Sequence, residues 1–150
     1  MKYYAAAAFI ACLATPVLAE GDIEKGEKTF KKCKSCHQIV SDSGEVIAKG
    51  GSTGPNLYGL AGRKAGSVEG FRYGDDLVAA GEAGLVWNEE QLAKYVQNPR
   101  DFLRDYLDDS KAKSNMSFRL KKGGEDVYAY LAQFGAAEPA AETEEAPASE

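Results

Sequence analysis

The pentapeptide Cys33-Lys34-Ser35-Cys36-His37 constrains this chain more than any other feature, because it holds the only histidine among 150 residues. Residues three and four apart on a helical turn share a face, so two thiols and an imidazole leave the backbone on one side. That arrangement lets Cys33 and Cys36 bond two vinyl groups of a haem while His37 reaches its iron, and Cys-x-x-Cys-His is the pattern of covalent c-type haem attachment. Three other readings compete. A thioredoxin-like dithiol wants a strand before the motif and a βαβ setting, and neither is legible. Structural zinc takes about four N or S ligands. A disulfide between Cys33 and Cys36 is the plainest alternative.

The ends of the chain sharpen this inventory. Lys2, the apolar run Ala5 to Leu13, Pro16 and the small-residue ending Val17-Leu18-Ala19 read as an export leader cut before Glu20. The run is too short to span a bilayer comfortably. An uncleaved anchor is the alternative, and a lipid-modified Cys12 would cut the apolar run in half. With residues 1–19 go Met1, Lys2 and Cys12, leaving Cys33, Cys36, His37 and Met116 as the only Cys, His and Met residues. Zinc then has too few ligands. Residues 138–150, rich in Glu, Pro and Ala, cannot bury enough apolar surface to order themselves and read as an acidic flexible tail. One domain over residues 20–137 remains, long enough for a single core.

The formal charge of −5 argues against non-specific nucleic-acid binding, and 44% hydrophobic with 27% charged residues is a soluble globular composition. Local patterns are helical and loop-like, with little strand alternation. Asp22 caps a helical stretch expected to run to about Cys36, and Asn88 caps one over Glu89–Asn98, with Pro99 after its end. A shorter helix is expected over Arg100–Leu107, and a last one over Glu125–Phe134 with Val127, Tyr130, Leu131 and Phe134 as its apolar stripe. Between Ser41 and Gly74 the recurrent glycines and Pro55 exclude a mostly helical structure.

If His37 takes one axial position of the haem iron, the natural soft partner for the other is Met116, and a His/Met pair raises the reduction potential. A lone Met usually fills a core gap. Met116, however, stands in the polar loop Ser114-Asn115-Met116-Ser117-Phe118 rather than in an apolar stripe. Lysine or water are the remaining candidates for that position.

In order along the chain stand Gly21-Asp22-Ile23-Glu24-Lys25-Gly26, Phe30, the haem motif, Thr53-Gly54-Pro55-Asn56-Leu57-Tyr58-Gly59, Gly62-Arg63-Lys64, Gly70-Phe71, Tyr73, Trp87, Tyr95, Asn98-Pro99, Met116, Phe118 and Asp126 to Leu131. From Gly21 to Phe134 this resembles the class I cytochrome c family, and within it the cytochrome c2 group of alphaproteobacterial photosynthetic and respiratory chains. Extra residues between Tyr73 and Trp87 and between Pro99 and Met116 resemble its larger members. The resemblance implies an all-α fold of helices and Gly-rich loops around one covalently bound haem c. It also implies that the Pro55 carbonyl accepts the His37 ring N–H, that Arg63, Tyr73 and Trp87 hold a haem propionate, that Tyr95 lies near the Met116 sulfur and that Phe118 covers the haem edge. Gly26, Phe30 and Tyr130 would mark the crossing of first and last helices.

With both axial positions filled, the iron can exchange electrons but has no place for a substrate. The expectation is therefore a periplasmic one-electron carrier, not an enzyme; a peroxidase or gas-binding protein needs an open iron. Lys31, Lys32 and Lys34 flank the haem motif and Lys111, Lys113, Lys121 and Lys122 flank Met116, whereas acidic residues collect between 75 and 109. Such a basic face would steer the carrier onto acidic partners. The resemblance implies a cytochrome bc complex as donor and a photosynthetic reaction centre or terminal oxidase as acceptor, with the carrier a monomer. A haem subunit or dedicated acceptor of a periplasmic dehydrogenase is the alternative.

Overall fold

Asp22 starts the first helix by accepting the Lys25 backbone N–H on its carboxylate at 3.0 Å, while its own N–H donates to the Asp126 carboxylate at 2.8 Å. Helix α1 (Ile23–Phe30) is thereby tied at its first turn to the last helix, α5 (Gly124–Leu131). Where they cross, a Cβ on Gly26 would lie 1.9 Å from the Asp126 carbonyl oxygen, so only glycine permits the approach. The Phe30 and Tyr130 rings close the contact with centroids 5.4 Å apart. The computed structural model describes residues 21–135, so the leader and the acidic tail lie outside the described residues.

Helix α1 ends at Phe30 rather than near Cys36. The Lys32 and Cys33 N–H groups bond three residues back, to the Thr29 and Phe30 carbonyls at 3.0 and 2.8 Å, and such tightened turns do not propagate an α-helix. A short antiparallel hairpin follows, β1 (Ile39–Val40) and β2 (Val46–Ala48). Strands of two and three residues are too short for alternation to show in a sequence.

Helix α2 (Asp75–Glu82) forms in an acidic stretch where the sequence pattern predicts no helix. Helix α3 (Glu89–Gln97) begins at Asn88, whose side chain accepts the Gln91 N–H at 2.8 Å. Asn98 then caps α4 (Pro99–Leu107), where Pro99 stands in the first turn at no cost in hydrogen bonding. Phe30, Ile39, Leu85, Leu103 and Leu131 form the fully enclosed part of the core. Helix α5 lies across both α1 and α3, and α2 packs on α4. Among the described residues no helix is long and apolar enough to cross a membrane.

Candidate functional site

The haem motif is wound as a single turn: the Cys36 and His37 N–H groups both donate to the Cys33 carbonyl, at 3.1 and 2.9 Å. The glycine-rich loop then wraps it closely. A Cβ on Gly50 would sit 1.9 Å from the His37 carbonyl oxygen, and one on Gly54 would sit 2.4 Å from the His37 ring. This packing delivers Pro55, whose carbonyl oxygen accepts the His37 Nδ1–H at 2.9 Å. A carbonyl only accepts, so Nδ1 carries the proton and Nε2 the free lone pair. Burial holds the His37 pKa below its ordinary value, against the opposing Pro55 bond, and so keeps the ring in the neutral form that can ligate a metal.

Burial also pushes the Cys33 thiol up to about 11, aided by the nearby Cys36 and only partly offset by Lys32. A redox-active dithiol needs the opposite, a depressed thiol pKa, so the thioredoxin-like reading loses its chemical basis. Among the described residues no group of three His, Cys, Asp or Glu side chains is arranged to hold a metal ion.

Cys33, Cys36 and His37 open onto a cavity of about 350 Å³ that also receives Pro55, Arg63, Tyr73, Trp87, Tyr95, Met116 and Phe118. The fold thus brings every candidate site residue of the sequence to one chamber. Its apolar walls come from Leu57, Leu60, Leu92, Val96 and Leu131, drawn from elements far apart in the chain. Trp87 and Tyr95 are buried, their ring centroids 5.0 Å apart, and the series continues from Tyr95 to Phe102 at 5.6 Å. Phe118 is 40% exposed and belongs to the cavity mouth. Lys32 and Lys113 line it as well, and Lys31, Lys34, Lys111, Lys121 and Lys122 are exposed.

Two features of the site had no sequence signal. Arg63 donates to the backbone carbonyls of Tyr58 and Asn56 at 2.7 and 3.3 Å, clamping the loop that carries Pro55. Its charge opposes the rise that burial imposes on the Tyr73 phenol. Ser114 is the other. Its hydroxyl lies 3.3 Å from the Tyr95 phenol oxygen, accepts the Met116 N–H at 3.2 Å and donates to the Met116 carbonyl at 3.1 Å. A single hydroxyl therefore fixes both backbone polar groups of Met116. Tyr95 is thus joined to the Met116 segment through Ser114.

A neutral imidazole, a thioether, two thiols and a deep apolar chamber with Arg63 and three aromatic polar groups at its wall form a donor set that fits a covalently attached haem. No family model matches the chain. It is 71% identical to cytochrome c-551 of Roseobacter denitrificans over 119 residues, 79% of this chain and 85% of that protein. It is 54% identical to cytochrome c2 of Rhodobacter capsulatus over 134 residues, 88% and 97% of the two chains. The solved structure of cytochrome c2 from Rhodobacter capsulatus superposes with a TM-score of 0.74 at 56% identity, covering 75% of this chain and 97% of that one.

Proposed function

The chain belongs to the cytochrome c2 family of class I c-type cytochromes, electron carriers with one covalently bound haem c, and on that premise we propose that it is a periplasmic shuttle whose haem iron is held by His37 and Met116. Export would use residues 1–19 as a cleaved leader, leaving a domain of residues 20–137 and the acidic tail 138–150. The observation that supports the axial pair most directly is that the only described histidine and methionine side chains line the same cavity as both cysteines.

The haem supplies one iron that cycles between two oxidation states a single electron apart. Cys33 and Cys36 would hold it through thioether bonds, and Pro55 fixes the His37 ring so that Nε2 would be its ligating nitrogen. Ser114 fixes the Met116 backbone in turn. Arg63, Tyr73 and Trp87 provide N–H and O–H donors for the haem carboxylates. Leu57, Leu60, Leu92 and Leu131 exclude water, which limits the solvent reorganisation that accompanies each change of charge. If His37 and Met116 both hold the iron, they would leave it no site for a substrate. The lysines around the mouth steer it towards acidic faces of a cytochrome bc complex and of a reaction centre or terminal oxidase.

Optical spectra of the purified protein test this reading. One low-spin c-type haem is expected, with a Met–iron band in the oxidised form that Met116→Ala abolishes while lowering the reduction potential and opening the iron to carbon monoxide. A wild-type protein that is high-spin and binds carbon monoxide readily would refute it.

A further inference from the structure

The segment carrying Met116 is sparsely tied to the protein. Ala112 and Leu120 are bonded into the backbone, through the Asp109 and Val96 carbonyls at 3.0 and 2.7 Å. Between them, the N–H groups held by a described residue are those of Lys113 and Met116. Ser114 holds the second, as described above. The first donates at 2.8 Å to the Asp76 carboxylate, 37 positions earlier in the chain.

Asp76 stands in the first turn of α2. That helix is a firm support. A Cβ on Gly81 would lie 2.1 Å from the Ala65 carbonyl oxygen, Ala80 is fully enclosed, and a Cβ on Gly66 would lie 3.0 Å from the Val78 Cα. A Cβ on Gly74 would lie 3.1 Å from the Asn115 side chain, so the start of α2 abuts the segment on both sides of Ser114. A run of chain with few hydrogen bonds opens at low free energy, and removing one of two anchors changes its opening equilibrium directly.

We propose that Asp76 is a positioning residue that latches the Met116 segment to α2, and so sets how readily Met116 gives up its place to a small neutral nitrogen donor such as imidazole. The proposal rests on Met116 as axial ligand. It assigns α2 a task that the sequence resemblance leaves blank.

The test compares haem-loaded wild type, Asp76→Ala and Asp76→Asn by amide hydrogen exchange at Lys113 and by titration of the oxidised protein with imidazole. Exchange reads the latch whatever ligates the iron. Asp76→Ala should speed exchange of the Lys113 N–H by about tenfold, the lower end for one charge-assisted hydrogen bond. Imidazole should bind tighter by a similar factor, because apparent affinity follows the open fraction. Asp76→Asn keeps an acceptor oxygen and should stay near wild type. In a Met116→Ala background the effect of Asp76→Ala on imidazole affinity should vanish. If Asp76→Ala leaves either Lys113 exchange or imidazole affinity unchanged while Met116→Ala binds imidazole more tightly than wild type, the latch is wrong. If wild type and Met116→Ala bind imidazole equally, the ligand assignment itself falls and the proposal with it, even where Lys113 exchange responds.

Discussion

Tyr95 connects the chemistry of the cavity to the stability of the fold through one phenol. Its ring packs between Trp87 and Phe102, and its oxygen faces Ser114, the residue that fixes Met116. Burial raises its pKa above the ordinary 10.0, partly countered by the Ser114 bond. The folded protein therefore keeps this proton at pH values where the unfolded chain has released it. The resulting stability is fully present below pH 10 and drains away as pH rises through the folded value. Tyr95→Phe has no such slope. The stability difference between wild type and Tyr95→Phe, measured by denaturant titration, should be constant up to about pH 9 and shrink steadily above about pH 10.

Among the elements, the crossing of α1 and α5 is the least tolerant. Gly26→Ala must push a Cβ against the Asp126 carbonyl and the Tyr130 Cβ, neither of which is a flexible tip. The expected cost is about 3 kcal/mol, the upper part of the range for overpacking, and a fall of more than about 10 °C in the thermal midpoint checks it. The caps at Asp22 and Asn88 and the haem motif were legible beforehand, because each depends on residue types with narrow structural uses, whereas this crossing was legible only through the family resemblance. Helix α2 was not. It has eight residues, and Gly81 with Gly84 just beyond its end masks a short apolar pattern of Leu77, Val78 and Ala80. The cavity was half legible. Cys33, Cys36, His37 and Met116 carry distinctive chemistry and Arg63, Tyr73, Trp87 and Tyr95 came with the family resemblance, while Leu57, Leu60, Leu92 and Val96 look like any core residues until the fold gathers them. Ser114 and Asp76 act through backbone N–H groups, which no side-chain pattern announces.

Charge is distributed over the whole molecule rather than assigned to any element. Removing the tail's five glutamates leaves a nearly neutral body. On it Lys32 and Lys113 line the cavity mouth, while Asp101, Asp105, Asp108 and Asp109 gather around the end of α4. Lys32→Glu should slow reduction by a cytochrome bc complex about tenfold at low ionic strength, and the gap to wild type should close as added salt screens the encounter. Asp105→Lys should change the rate little. Stopped-flow traces across a salt series distinguish these outcomes, and a Lys32→Glu protein as fast as wild type at low salt would place docking elsewhere. The union of the two chain ends has a further consequence, one of timing. Asp22 meets Asp126 across 104 positions, so α1 has no partner until almost the whole chain has been made. Synthesis runs from the N-terminus, and Cys33 and Cys36 emerge long before α5. The core that half-buries Cys33 is thus incomplete during that interval.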